Sequence, residues 1–344
     1  MNNCTYRMIA KEAGVSIATV SLALRDRPNV SEETRRRIKR IAKKNGYMPN
    51  PIVSAMMRQQ RRRNPKQDIR AILALCATRR VLDYLKHHST DREFIVGVEE
   101  ACHNEGFFCE RFYWDDFEET PRRFFARLRS RRVPGVIFIG GHVPDWMGSA
   151  GWDSYAMASL GNRSSSFPTH YSAADHYNNA WLCISKLDEL GYRNIGLVMA
   201  RTVWAERSNF KALSAYAGWA CQAHVQWPPP LLEKEISRSL FMSWLDKYQP
   251  DAIIISESEP LTYLTDAGIK IPDELGVCHL DVSSDWENLS GIQQNNFDAG
   301  QAAAHLVIDQ INRNTRGMPE HPRSLLIPGN WVQSTSVRKV TPKS

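Results

Sequence analysis

The chain has 344 residues, 42% of them hydrophobic and 24% charged, with a formal net charge of +7. That length exceeds one small domain and suits two or three, and no apolar run is long enough to argue for secretion or membrane anchoring. The charge is uneven, because residues 1–68 hold 16 Lys and Arg against 5 Asp and Glu and leave the remainder net acidic; this asymmetry fits a nucleic-acid module joined to an ordinary soluble domain.

In chain order, Thr5 to Arg25 reads as two short helices around a tight turn, the arrangement of a helix-turn-helix DNA reader. Ile9, Ala10 and Ala13 share a face of the first helix, Gly14 supplies the corner, Val15 tucks beneath it, and Val20 and Leu24 form the second apolar face. Ser16 is a good N-cap for the second helix, so Ile17 and Ala18 project from the turn that reaches base edges in a major groove. Thr5, Ser16, Thr19 and Ser21 place short hydroxyls where phosphates would pass. Ile17, Ala18 and Leu22 cannot make bidentate hydrogen bonds to guanine. Base choice is therefore expected from thymine-methyl contacts, from Arg25 if it reaches in, and from deformability at the centre of the site.

A third helix starts at the N-cap Ser31, with Glu32 and Glu33 in its positive first turn, and ends at Gly46. Ile38 and Ile41 give it a buried side and Tyr47 closes the small core; its many Lys and Arg side chains suit either phosphate contact or plain solvation. Asn50 and Pro51 then encode the start of a short helix through Met57, too short to be stable in water without a partner. A polar, basic linker over 59–65 ends this part of the chain.

From Ile69 the pattern becomes alternating strands and helices. Apolar runs predict strands over 71–76, 133–139, 156–160, 195–199, 252–255 and 277–280, with a helix over 94–105, and the alternation indicates two doubly wound α/β lobes. Seven cysteines, odd in number and without CxxC spacing, indicate neither a disulfide framework nor a zinc site. The expectation is reduced thiols in a cytoplasm, with no metal or other cofactor.

The run AxxAGVSxxTVS at Ala10 to Ser21, its continuation from VSEETRRRI to GYMPN, and later segments at 187–197, 271–277, 289–295, Gly300 and 326–329 resemble the lactose/galactose-repressor family of bacterial transcription regulators. The resemblance implies an N-terminal all-α helix-turn-helix domain (1–49), a hinge helix and basic linker (50–68), and a two-lobe α/β sensor domain resembling periplasmic binding proteins (69–340). The N-lobe is expected at about 69–167 and 294–324 and the C-lobe at about 168–293 and 325–340, with three crossings between them. It further implies that Ser31 and Thr34 contact phosphate and that the segment from Asn50 folds on operator DNA, pairs with its dimer mate and inserts Met56 into the minor groove. An unbranched thioether can serve as such a wedge; the alternative is that Ile52, Met56 and Met57 pack against the sensor. By family position Asp281 would accept hydroxyl hydrogen bonds from a small-molecule effector and Gln294 would sit at a crossover. Arg207 is the candidate basic clamp, Glu257 departs from the usual Asn-Asp, Asp175 matches an acidic position or acts as a helix cap, and Trp204 could stack on a sugar ring.

The expected partners are double-stranded operator DNA, a small-molecule effector of carbohydrate type and a second copy of the chain, with no membrane. A dimer is expected because no leucine heptads follow Arg338. The functional expectation is a cytoplasmic, nucleoid-associated repressor under effector control; activation of transcription is the alternative within that class. A cytoplasmic sugar-binding protein, or an enzyme of the same α/β class, is the other. No GxGxxG follows a predicted strand and no GxSxG or HExxH is present, so no catalytic residue is assigned.

Overall fold

Gly14, at φ +66°, turns the chain between α1 (Tyr6–Ala13) and α2 (Ile17–Leu24) in a conformation that a side chain would resist. In the computed structural model the described residues are 6–24, 30–45, 47, 71–87, 89–117, 119–164, 166–202, 205–206, 208, 210–223, 227–282, 286 and 288–340. α3 (Glu32–Lys44) packs on the first two helices, and the three together bury Ile9, Ala10, Ala13, Val20, Ala23, Val30, Ile38 and Ala42. Tyr47 closes this core with its ring 5.4 Å from that of Tyr6. The C-cap of α3 is Asn45; Gly46 and the expected hinge segment from Asn50 lie outside the described residues.

Two parallel sheets follow. The first contains β1 (Ala71–Ala77), β2 (Phe107–Tyr113), β3 (Gly135–Ile139), β4 (Ala156–Leu160), β5 (His170–Ala174) and β11 (Ser324–Ile327), in the order β11-β5-β4-β3-β1-β2. The second contains β6 (Ile195–Ala200), β7 (Leu231–Glu233), β8 (Ala252–Ile255), β9 (Gly276–His279), β10 (Ser290–Gln293) and β12 (Asn330–Val332), in the order β12-β10-β9-β8-β6-β7. Among the described residues only the β10–β12 pair is antiparallel. The helices are α4 (Arg79–His87), α5 (Ser89–Asn104), α6 (Pro121–Ser130), α7 (His176–Leu190), α8 (Lys211–Ala223), α9 (Arg238–Tyr248), α10 (Glu259–Asp266) and α11 (Asn296–Arg313).

Both faces of each sheet are covered, which is why the central strands are apolar at nearly every position, Ser159 in β4 and His279 in β9 excepted. In β1, Leu73, Leu75 and Ala77 join a core with α5 and α11, whereas Ala74 and Cys76 face an aromatic cluster that includes Phe124, Phe138 and Trp152. In the second sheet Ile195, Leu197 and Ile254 pack with α7 and α8; Val198, Ile253 and Ile255 pack with Phe241, Trp244 and Leu264 of α9 and α10. α5 and α11 meet backbone to backbone, and glycine is what permits it. A Cβ on Gly97 would lie 2.0 Å from the Phe297 carbonyl oxygen, and one on Gly300 would lie 2.1 Å from that of Phe94.

The chain passes between the sheets three times: at Asp175, between β5 and α7; at Gln294–Asn295, between β10 and α11; and at Pro328–Gly329, between β11 and β12. Two expected lobe boundaries therefore move. β5 stays in the first sheet because it pairs with β4 and β11, which puts the first crossing at Asp175 rather than after residue 167, and β11 carries the last crossing from 324 to 328. The expected helix over 94–105 runs instead from Ser89 to Asn104, and the strand expected from 133 starts at Gly135.

Candidate functional sites: a DNA-reading face and an interlobe cleft

The start of α2 is shaped by local hydrogen bonds. Ser16 Oγ accepts the Thr19 N–H at 3.0 Å, which caps the helix, and shares one hydrogen bond with Thr19 Oγ1 at 2.8 Å. Ser31 does the same for α3, accepting the Thr34 N–H and donating to Thr34 Oγ1 at 2.8 Å. Ile17, beside the α2 cap, is 45% exposed, whereas Leu22 is half-buried against the helical core. Ala18 and Ser21 fall within α2. Thr5, Arg25, Asn50 and Met56 lie outside the described residues.

Ion pairs organise the basic helix α3. Glu32 pairs with Arg35 and Arg36, and Glu12 on α1 accepts from Asn45 Nδ2 at 2.6 Å and Lys44 Nζ at 3.2 Å. The Asn45 hydrogen bond, then that of Lys44, holds the Glu12 carboxyl below its ordinary range. Arg37, Arg40 and Lys43 are exposed and have no carboxylate partner among the described residues, which leaves their charge for an anionic surface.

The second site follows from the crossings. β5, β10 and β11 all leave their sheets at their C-terminal ends, so the two sheets present those ends to the crossing region, where α/β folds bind ligands. The crossing segments also bond to one another. Asp175 N–H donates to Ile327 O at 2.8 Å, Gly329 N–H to Asn179 Oδ1 at 2.7 Å, and Asn295 Nδ2 to Pro328 O at 2.7 Å. Asp175 is the N-cap of α7, accepting from Asn178 N–H and Nδ2.

Glu257, Asp281 and Gln294 follow the C-terminal ends of the adjacent strands β8, β9 and β10. Burial, then the nearby Glu259, pushes the Glu257 carboxyl up to about 7, with the neighbouring Ser256 hydroxyl opposing the shift. Gln294 is buried and donates Nε2 to Leu280 O at 2.9 Å. Asp281 is held by a neighbour absent from the expected set: its N–H lies 3.0 Å, and its carbonyl oxygen 2.8 Å, from Nδ1 of buried His279. Burial lowers the His279 pKa to about 4 against the backbone hydrogen bond to Asp281, which keeps the ring neutral. Arg207 and Trp204 lie outside the described residues.

The first sheet contributes groups that sequence reasoning missed. At the ends of β1 and β2, Arg79 lies over the Tyr113 ring at 4.3 Å and pairs with Asp116, while its N–H donates to Asp115 Oδ2 at 2.7 Å. Half-buried Trp146, beyond β3, meets Trp114 edge to face at 6.1 Å. Tyr171 of β5 sits between Arg163, 5.6 Å from its ring, and Lys211 of α8, 5.8 Å away; one cation comes from each lobe. Apart from Arg163 and Tyr171, these partners are far apart in the chain, and no local signal announces them. Among the described residues no three His, Cys, Asp or Glu form a metal-binding group, and no helix is long and apolar enough to cross a membrane.

Residues 6–50 match the model for bacterial regulatory proteins of the lacI family, and residues 184–337 match the periplasmic binding protein-like domain. The chain thus carries a lacI-type helix-turn-helix domain and a periplasmic-binding-protein-like domain. Proteins similar to it include the HTH-type transcriptional repressor CytR of Escherichia coli K12, 22% identical over 325 residues that span 89% of each chain. The repressor PurR of Klebsiella pneumoniae is 23% identical over 345 residues, spanning 93% of this chain and 94% of that one. Among solved structures, a transcriptional regulator CelR–cellobiose complex superposes with a TM-score of 0.59 at 19% identity, covering 97% of this chain and 100% of that one. The lac repressor dimer bound to operator and the anti-inducer ONPF gives 0.58 at 16% identity, with 98% and 100% covered. The chain is a DNA-binding transcription regulator with a helical N-terminal reader and a two-sheet α/β domain.

Proposed function

We propose that the chain is a homodimeric repressor whose hold on a pseudo-palindromic operator is set by a carbohydrate bound between its two lobes. The observation that carries this reading is the joining of a basic, capped helix-turn-helix to two sheets whose C-terminal edges meet at three mutually bonded crossings. One solved relative is a complex with cellobiose, and a lacI-family regulator from Weissella paramesenteroides was solved with bound glucose. In this reading Asp281 and Glu257 take hydroxyl hydrogen bonds, Gln294 reports occupancy at a crossing, Arg207 clamps a polar group, and Trp204 or Trp146 covers the apolar face of the ring.

A second copy of the chain covers exposed Val96 on α5 and Phe108 on the edge strand β2. Each subunit then reads one half-site through α2, and Met56 wedges the central minor groove. A sugar shifts the DNA equilibrium only to the extent that it binds the two interlobe arrangements differently. The reading is tested by selecting bound sequences from a random duplex pool with full-length protein at stated salt, because phosphate contacts make affinity strongly salt-dependent. Recovery of a short palindrome, and its release by one member of a carbohydrate panel, is the expected result. Salt-sensitive binding with no recovered sequence would refute the operator reading.

A further inference from the structure

The geometry points to a phosphate-binding subsite at Tyr171, built from Arg163 of the first lobe and Lys211 of the second; this rests on the reading above that a small molecule binds between the lobes. Tyr171 lies in β5 between its register partners, Ser159 of β4 and Ser324 of β11. The Arg163 guanidinium, from the segment joining β4 to β5, is 5.6 Å from the centre of its ring, and Nζ of Lys211, the first residue of α8, is 5.8 Å from it. Neither cation has a carboxylate partner among the described residues. Asp175, the carboxylate that follows β5, is held by Asn178 N–H and Nδ2 as the cap of α7.

The first turn of a helix is positive and favours acidic side chains, yet α8 opens with Lys211 and has no acidic residue in that turn. Neighbouring groups respond to the uncompensated charge. Burial would raise the Tyr171 hydroxyl above its ordinary pKa, but the neighbouring Ser324 hydroxyl, then Lys211 and Arg163, outweigh it and bring it below. Half-buried His176, the first residue of α7, is lowered to about 4 by loss of water and then by Lys211, against the opposing Asp175. The positive charge here is therefore that of Arg163 and Lys211. Sugar hydroxyls carry no charge to answer it, whereas a phosphate brings three acceptor oxygens and about two negative charges. Because each lobe supplies one cation, a phosphate bound to both also favours one interlobe arrangement over others. Free phosphate and the phosphate of a phosphorylated carbohydrate share this chemistry.

The test titrates the full-length protein by calorimetry at fixed ionic strength, first with inorganic phosphate and then with sugar monophosphates and their unphosphorylated parents. Inorganic phosphate is expected to bind, about tenfold more weakly to Arg163→Gln and to Lys211→Gln, with the melting temperature of each variant matching that of the parent. A sugar monophosphate that binds more tightly than the free ion, and loses that advantage in both variants, assigns the phosphate to the effector. Equal affinity for the free ion and every sugar monophosphate assigns the subsite to the free ion. No phosphate binding by the parent would overturn the inference. So would an unchanged affinity in either variant, which would place the ion elsewhere, such as on the basic reader. Release of operator by an unphosphorylated sugar from a protein that binds no phosphate would leave the effector reading standing without this subsite. Phosphate binding that both variants weaken, with operator affinity unmoved by every ligand, would keep the subsite and refute effector control.

Discussion

Replacing Glu257 by Gln should stabilise the α/β domain above neutral pH, and by only about a quarter as much near pH 5. In the folded protein burial raises this carboxyl from its ordinary 4.5 to about 7, so the folded state holds a proton that the unfolded chain has already released. The stability associated with that proton is fully present below pH 4.5 and is lost as pH rises through 7. At about 1.4 kcal/mol per tenfold, the full difference is about 3 kcal/mol; the side chain keeps some contact with water, which screens this to about 2 kcal/mol. Gln carries no charge to desolvate and preserves the acceptor that faces Ser256. For a domain of this size, about 2 kcal/mol corresponds to about 6 °C in melting temperature. Thermal melts of parent and variant at pH 5 and pH 8 measure it directly. A gap between the two proteins that is the same at both pH values, or larger at pH 5, would refute the reasoning.

Two other substitutions probe the frame around the cleft. Gly300→Ala places a methyl 2.1 Å from the Phe94 carbonyl oxygen; because backbone must move, a loss of about 3 kcal/mol is expected, read as a lower urea midpoint. An unchanged midpoint would mean that α5 and α11 separate without cost. Asn314, the C-cap of α11 at φ +57°, donates Nδ2 to Leu24 O at the end of the recognition helix at 2.8 Å. Asn314→Gly keeps the left-handed backbone but removes that donor, so effector-free operator affinity should change about fivefold with the melting temperature nearly constant. Identical affinity would show that the contact does not reach DNA.

The strands that the sequence made legible are those at the centre of each sheet. Apolar runs marked β4, β3 and β1 in the first and β9, β8 and β6 in the second, all six covered on both faces. The unmarked strands are the edges and their neighbours. β2 reads FFCERFY and exposes Phe108 and Arg111, β11 is exposed along most of its length, and β7 and β12 have three residues each. One-sided, short strands do not produce a continuous apolar signal. The helix-turn-helix was readable because its turn, caps and core lie within a few dozen residues of one another. Groups such as Tyr171 with Lys211, or Arg79 with Tyr113 and Asp116, are assembled by crossings and strand order. No local periodicity encodes them.

The glycine contact between α5 and α11 divides α11 unequally. Its near end, at Asn296, adjoins the Gln294–Asn295 crossing, and its far end, at Asn314, holds the last carbonyl of the recognition helix. Measured from Gly300 at 1.5 Å per residue, the two arms are about 6 Å and about 21 Å long. If the close-packed backbone at Gly97 and Gly300 acts as a fulcrum, a displacement of about 0.6 Å at the crossing becomes about 2 Å at the reader, a mechanical gain of more than three without any bending of the helix.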